Sequence, residues 1–114
     1  MAITSEIIGK LGGAGVEETP ASGTVSGDSG TTTLMTTVTV PAGKTWLVAV
    51  IGTATSQATG RSGYPEIVIG NTRAAFSGVG GASALVTGTV EIRLSRNWAI
   101  GSDSFTGTVY TAEM

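Results

Sequence analysis

From Val86 to Ser95 the chain alternates side-chain character at every step: Val86, Gly88, Val90, Ile92 and Leu94 interleave with Thr87, Thr89, Glu91, Arg93 and Ser95. Only extended backbone sends successive side chains to opposite faces, so this period of two predicts a strand with one buried and one wetted face. The same period recurs between Thr32 and Val40, where Leu34, Thr36, Val38 and Val40 are expected inward and Met35, Thr37 and Thr39 outward. A last strand is expected from Ser104 to Ala112, with Phe105, Gly107 and Val109 opposed to Thr106, Thr108 and Tyr110.

Between these segments the run Trp46-Leu47-Val48-Ala49-Val50-Ile51 is continuously apolar and of strand length, which predicts a central strand over Thr45 to Ile51. Val40-Pro41-Ala42-Gly43-Lys44 supplies the turn before it, with a preset proline φ and a glycine free to take a positive one. Gly52 to Gly63 has no period and is expected as an exposed loop or irregular strand edge. Tyr64 to Ile69 reads as a strand with Pro65 at an edge or at its beginning, and Gly70-Asn71 as a two-residue hairpin loop into Thr72 to Phe76. Ser77 to Ser83 is expected as a glycine-rich loop, and Arg96 to Gly101 as a corner. Short strands at regular spacing, punctuated by glycine and proline, predict an all-β fold, a small antiparallel β-sandwich or jelly-roll-like domain over residues 31–114.

The first thirty residues read differently, as a glycine-rich N-terminal arm and tether interrupted by Gly12, Gly13, Gly15, Gly23, Gly27 and Gly30. Before the glycines, Ile3, Ile7 and Leu11 share one helical face, Glu6 and Lys10 are spaced to pair, and Ser5 is placed to cap. An apolar tip on such a tether suits docking on a neighbouring subunit or folding back on its own sandwich.

Composition narrows the chemistry. At 114 residues the chain suits one domain able to bury on the order of two thirds of its unfolded surface. Charged residues make up 12% against 40% hydrophobic, and mean hydropathy is +0.29, so hydroxyls and glycine must supply much of the wetted surface. Six scattered basic residues and a net charge of −2 give no stripe for a phosphate backbone, which argues against nucleic acid as a partner. Cysteine is absent, removing disulfides, thiolate catalysis and thiolate metal sites. No stretch is apolar over a bilayer-spanning length and the N-terminus has no basic-then-apolar leader pattern, so the expectation is a soluble product of the cytoplasm with no membrane partner.

Two motifs resemble catalytic signatures, and the carboxylates are the remaining possible chemistry. Gly27-Asp28-Ser29-Gly30 matches the nucleophile tetrapeptide of chymotrypsin-like proteases, but the serine needs a histidine base and the chain has none, so a turn is expected. Gly43-Lys44-Thr45 ends like a phosphate-binding loop, yet Val38 stands where the first glycine belongs and a strand follows instead of a helix. The carboxylates Glu17, Glu18, Asp28, Glu66, Glu91, Asp103 and Glu113 are dispersed, and no Asp-x-Asp ligand run is present. No catalytic residue, cofactor or metal is assigned, leaving a non-enzymatic structural or binding module as the leading expectation.

Of the aromatics, Trp46 is expected in the core. Trp98 and Tyr64 flank loops, where subunit contact and packing compete with a sugar-stacking role. Arg93 and Arg96, beside Asn97, are expected as a polar rim contact or a solvated edge. The candidate interface set is therefore Ile3, Ile7, Leu11, Trp98 and Arg96.

Two stretches, Ala2-Ile3-Thr4-Ser5-Glu6-Ile7-Ile8-Gly9-Lys10-Leu11-Gly12-Gly13 and Val38-Thr39-Val40-Pro41-Ala42-Gly43-Lys44-Thr45-Trp46-Leu47-Val48, together about a fifth of the chain, resemble small virion proteins of tailed bacteriophages, notably minor tail proteins of phages infecting actinobacteria. The resemblance implies a β-sandwich subunit made in the host cytoplasm and assembled into the virion at the tail tip, with other virion proteins and copies of itself as partners. Ring symmetry in such assemblies implies a symmetric homo-oligomer, with a trimer as one hypothesis. A capsid decoration protein and a carbohydrate-binding or host-recognition module on surface glycan are the rival readings, and a small hydrolase built on a carboxylate pair is a third.

Overall fold

The computed structural model describes residues 17–28, 30–56, 65–76, 78–96 and 101–114. They form eight strands: β1 (Glu17–Ser26), β2 (Thr32–Thr39), β3 (Trp46–Ser56), β4 (Pro65–Ile69), β5 (Thr72–Ala75), β6 (Gly78–Val86), β7 (Thr89–Arg96) and β8 (Ser102–Glu113). Two four-stranded antiparallel sheets result, ordered β1-β8-β3-β6 and β2-β7-β4-β5. The first strand pairs with the last, the second with the seventh, the third with the sixth and the fourth with the fifth. The chain is thus one long hairpin wrapped into a sandwich, the jelly-roll topology, and every connection except β4 to β5 crosses between sheets.

The core lies between the inner faces. Val25, Val38, Val48, Val50, Ile67, Ile69, Ile92, Leu94, Phe105 and Val109 are buried there, each contributing about 1.5–3 kcal/mol by leaving water. The expected turns are present. Lys44 N–H donates to the Pro41 carbonyl (3.1 Å) around Gly43 at φ +79°, a type II arrangement. In the Gly70-Asn71 hairpin only the glycine has positive φ (+59°), the type II′ pattern.

Residues 17–26, expected in the tether, instead form β1 and pair with β8 along their whole length, so the sandwich extends to Glu17. Gly23 does not break that strand: between buried Ala21 and Val25 it leaves room for Met35, whose Cγ would lie 3.1 Å from an added Cβ. Leu34, expected inward, is exposed because a β-bulge between Leu34 and Thr36 shifts the phase. Met35, expected outward, packs against the core. The alternation from Val86 to Ser95 is two strands, since Gly88 at φ +65° turns the chain from β6 to β7 in the other sheet. Pro65 opens β4, which is an internal strand with neighbours on both sides, not an edge.

β3 also runs on to Ser56, and the glycine-rich segment from Gly78 is the first half of β6, both beyond their expected limits. The reason is a lane of glycines across the sheet, Gly80, Gly52 and Gly107, aligned on three neighbouring strands. Added Cβ atoms at Gly52 and Gly107 would lie 2.8 and 2.7 Å from the Phe105 ring, and one at Gly80 2.7 Å from Phe76. The two rings meet edge to face at 6.2 Å and fill the groove that the missing side chains leave.

Candidate interaction surface

The fold keeps the carboxylates apart and pairs several with cations. Glu66 meets Arg73 (3.1 Å), Glu91 meets Arg93 (3.0 Å) and Glu113 meets Lys44 (3.2 Å), each at the surface. Glu17 and Glu18 are exposed on β1, and Asp28 in the turn after it. Among the described residues no group of three or more metal-ligating side chains assembles. In the protease-like tetrapeptide, Gly27 (φ 104°) and Gly30 (φ 93°) shape a turn in which Thr31 N–H donates to the Asp28 carbonyl at 3.0 Å; Ser29 lies outside the described residues.

Arg96 is a correction. Expected as a rim contact or a solvated edge, it is 1% exposed and closes one end of the core. Its Nη1 donates to the Gly101 carbonyl (2.6 Å), and its Nε stands 3.8 Å from Oδ2 of Asp103, which is 2% exposed. The signal was present in the sequence: Arg96 continues the inward phase of Ile92 and Leu94, and Asp103 that of Phe105. A buried guanidinium needs a carboxylate, and these two strand ends supply one to the other.

Near the far end of β8, Glu17, Trp46, Thr111, Ala112 and Glu113 line an open cavity of about 210 Å³. Trp46 is half-buried against the core, and its Nε1 is buried without a hydrogen-bond partner among the described residues. The other expected contact residues, Ile3, Ile7, Leu11, Tyr64 and Trp98, lie outside the described residues.

Large apolar side chains that stand exposed among the described residues are Leu34, Val79, Leu85 and Met114. Two of them, Val79 and Leu85, belong to one strand, β6, and Leu85 borders a shallow cleft of about 250 Å³ beside the β4–β5 turn. Sequence reasoning missed this surface because the glycine run at its start read as a loop. No family model and no curated protein matches the chain.

Proposed function

We propose that the chain is a non-enzymatic structural protein of a tailed-phage virion, a minor tail protein of the tail tip, whose β-sandwich packs against copies of itself and other virion proteins. The observation that supports this reading best is the wrapped eight-strand topology, an architecture that recurs in viral capsid and lectin domains. That support is analogy of fold. The sequence resemblance points the same way, and the spread of the carboxylates over separate surface pairs and one buried pair suits a scaffold.

The test is incorporation into particles. Labelled full-length protein should appear at the tail tip in electron micrographs, and deletion of the residues before Gly12 should abolish loading while the domain stays folded. Normal loading of the truncated chain would remove the arm from the proposal, and labelling of the head would replace the tail role by capsid decoration. Turnover of glycan or ester substrates would overturn the non-enzymatic reading.

A glycan-binding reading retains one observation, the indole of Trp46 flanked by Glu17 and Glu113 in an open cavity. Glycan-array binding lost in Trp98→Ala or Trp46→Ala, with folding intact, would favour it.

A further inference from the structure

β6 is the last strand of its sheet, with β3 on one side and, among the described residues, no strand on the other. Such an edge presents unpaired backbone N–H and C=O groups, and proteins guard it with charge, proline, a bulge or brevity. The other three edges of this sandwich are guarded. β1 carries exposed Glu17, Glu18 and Pro20; β2 has the bulge between Leu34 and Thr36; β5 has four residues, including Arg73. Among the described residues β6 has none of these devices. Its nine residues, GVGGASALV, contain no charge and no proline, and its register with β3 runs without a shift from Trp46↔Val86 to Ala54↔Gly78.

The exposed side chains of this edge are apolar, Val79 at 72% and Leu85 at 63%, and they stand at equal distances on either side of Ala82, the middle residue. That spacing is self-complementary. When two copies of the strand run antiparallel with Ala82 opposite Ala82, Gly81 faces Ser83 and Val79 faces Leu85, and the apolar contact forms twice. The register also preserves parity: Ala82 and Ala84, which pack against the core, stay inward in both copies, so the inner layers continue across the junction. A shift of two residues would separate Val79 from Leu85.

We propose that β6 pairs antiparallel with β6 of a second copy about a two-fold axis at Ala82, joining the two four-stranded sheets into one continuous sheet. The contact uses the same patch on both subunits, so it closes at a dimer and leaves neither copy with an unguarded edge. A foreign strand would have no reason to match the spacing of Val79 and Leu85. A three-fold ring would need two different surfaces, so a larger assembly of this chain would be built from dimers. The proposal rests on the reading of the chain as an assembling module, although its test fails separately from the virion assignment.

The full chain should be a dimer by size-exclusion chromatography with light scattering across a concentration series. Val79→Lys with Leu85→Lys places charge on the edge, and this variant should run as a monomer with an unchanged β-sheet circular dichroism spectrum and a melting temperature that, unlike the wild type's, does not rise with protein concentration. Because the chain lacks cysteine, Ala82→Cys gives a single thiol at the axis. Opposed residues of an antiparallel pair have Cα atoms about 4.5–5.5 Å apart, within disulfide reach, so mild oxidation should yield a covalent dimer. A monomer at every concentration, a dimer that survives the lysine variant, or open-ended aggregates would each overturn the pairing. Particle loading by a monomer that needs an intact β6 edge would give that edge to another protein's strand and also overturn it. A β6 dimer never found on particles would remove the virion assignment alone.

Discussion

Gly52→Ala tests the glycine lane that lets the two sheets meet over Phe105. Gly52 sits where β3 lies between β8 and β6, in register with Gly107 on one side and Gly80 on the other. A methyl group there would stand 2.3 Å from the Thr106 carbonyl oxygen, 2.5 Å from Gly107 Cα and 2.8 Å from Phe105 Cζ. Ordinary contact begins near 3.4 Å, so the central strand pair must separate by about an ångström and Phe105, 1% exposed, must shift as well. Overpacking costs about 1–3 kcal/mol, and the upper end applies because two of the three obstacles are backbone. Alanine's smaller freedom in the unfolded chain offsets about 0.5 kcal/mol, leaving a loss of about 2.5 kcal/mol. For 114 residues this is a fall of about 10 °C in Tm, readable by thermal or urea unfolding followed by circular dichroism. Gly80→Ala is the internal control, since all three of its nearest obstacles are atoms of the half-buried Phe76 ring and none is backbone, so only a side chain must shift and the loss should be smaller, about 1–2 kcal/mol. If Gly52→Ala matches or exceeds the wild-type stability, the lane is not a packing requirement and the reasoning fails.

Asp103→Ala leaves the Arg96 guanidinium buried without its carboxylate and should cost about 3 kcal/mol in urea unfolding, the low end for a broken buried pair because the Gly101 carbonyl still accepts from Arg96; a loss below about 1 kcal/mol would mean that water reaches Arg96. Gly43→Ala meets no steric obstacle, as nothing lies within 4 Å of the added Cβ, but its φ of +79° should cost about 1–2 kcal/mol, and an unchanged midpoint would show that the turn relaxes to another type.

The amino-acid sequence by itself determined the fold class and most strands, because side-chain alternation is a local property: Val38 and Val40, Ile92 and Leu94, and Phe105 and Val109 all point inward as their period requires. It also determined the Pro41–Lys44 and Gly70-Asn71 turns, where glycine at positive φ is a local demand. Only the tertiary structure decided which glycines interrupt and which are covered. Gly27 and Gly88 turn the chain, whereas Gly23, Gly52, Gly80 and Gly107 lie inside strands, where Met35, Phe76 or Phe105 occupies the space above them. The bulge that exposes Leu34 and the place of β6 at the end of its sheet are likewise properties of neighbours distant in sequence. Periodicity reports the face a residue takes on its own strand, while the strand beside it and the sheet above it are fixed only when the whole chain has wrapped.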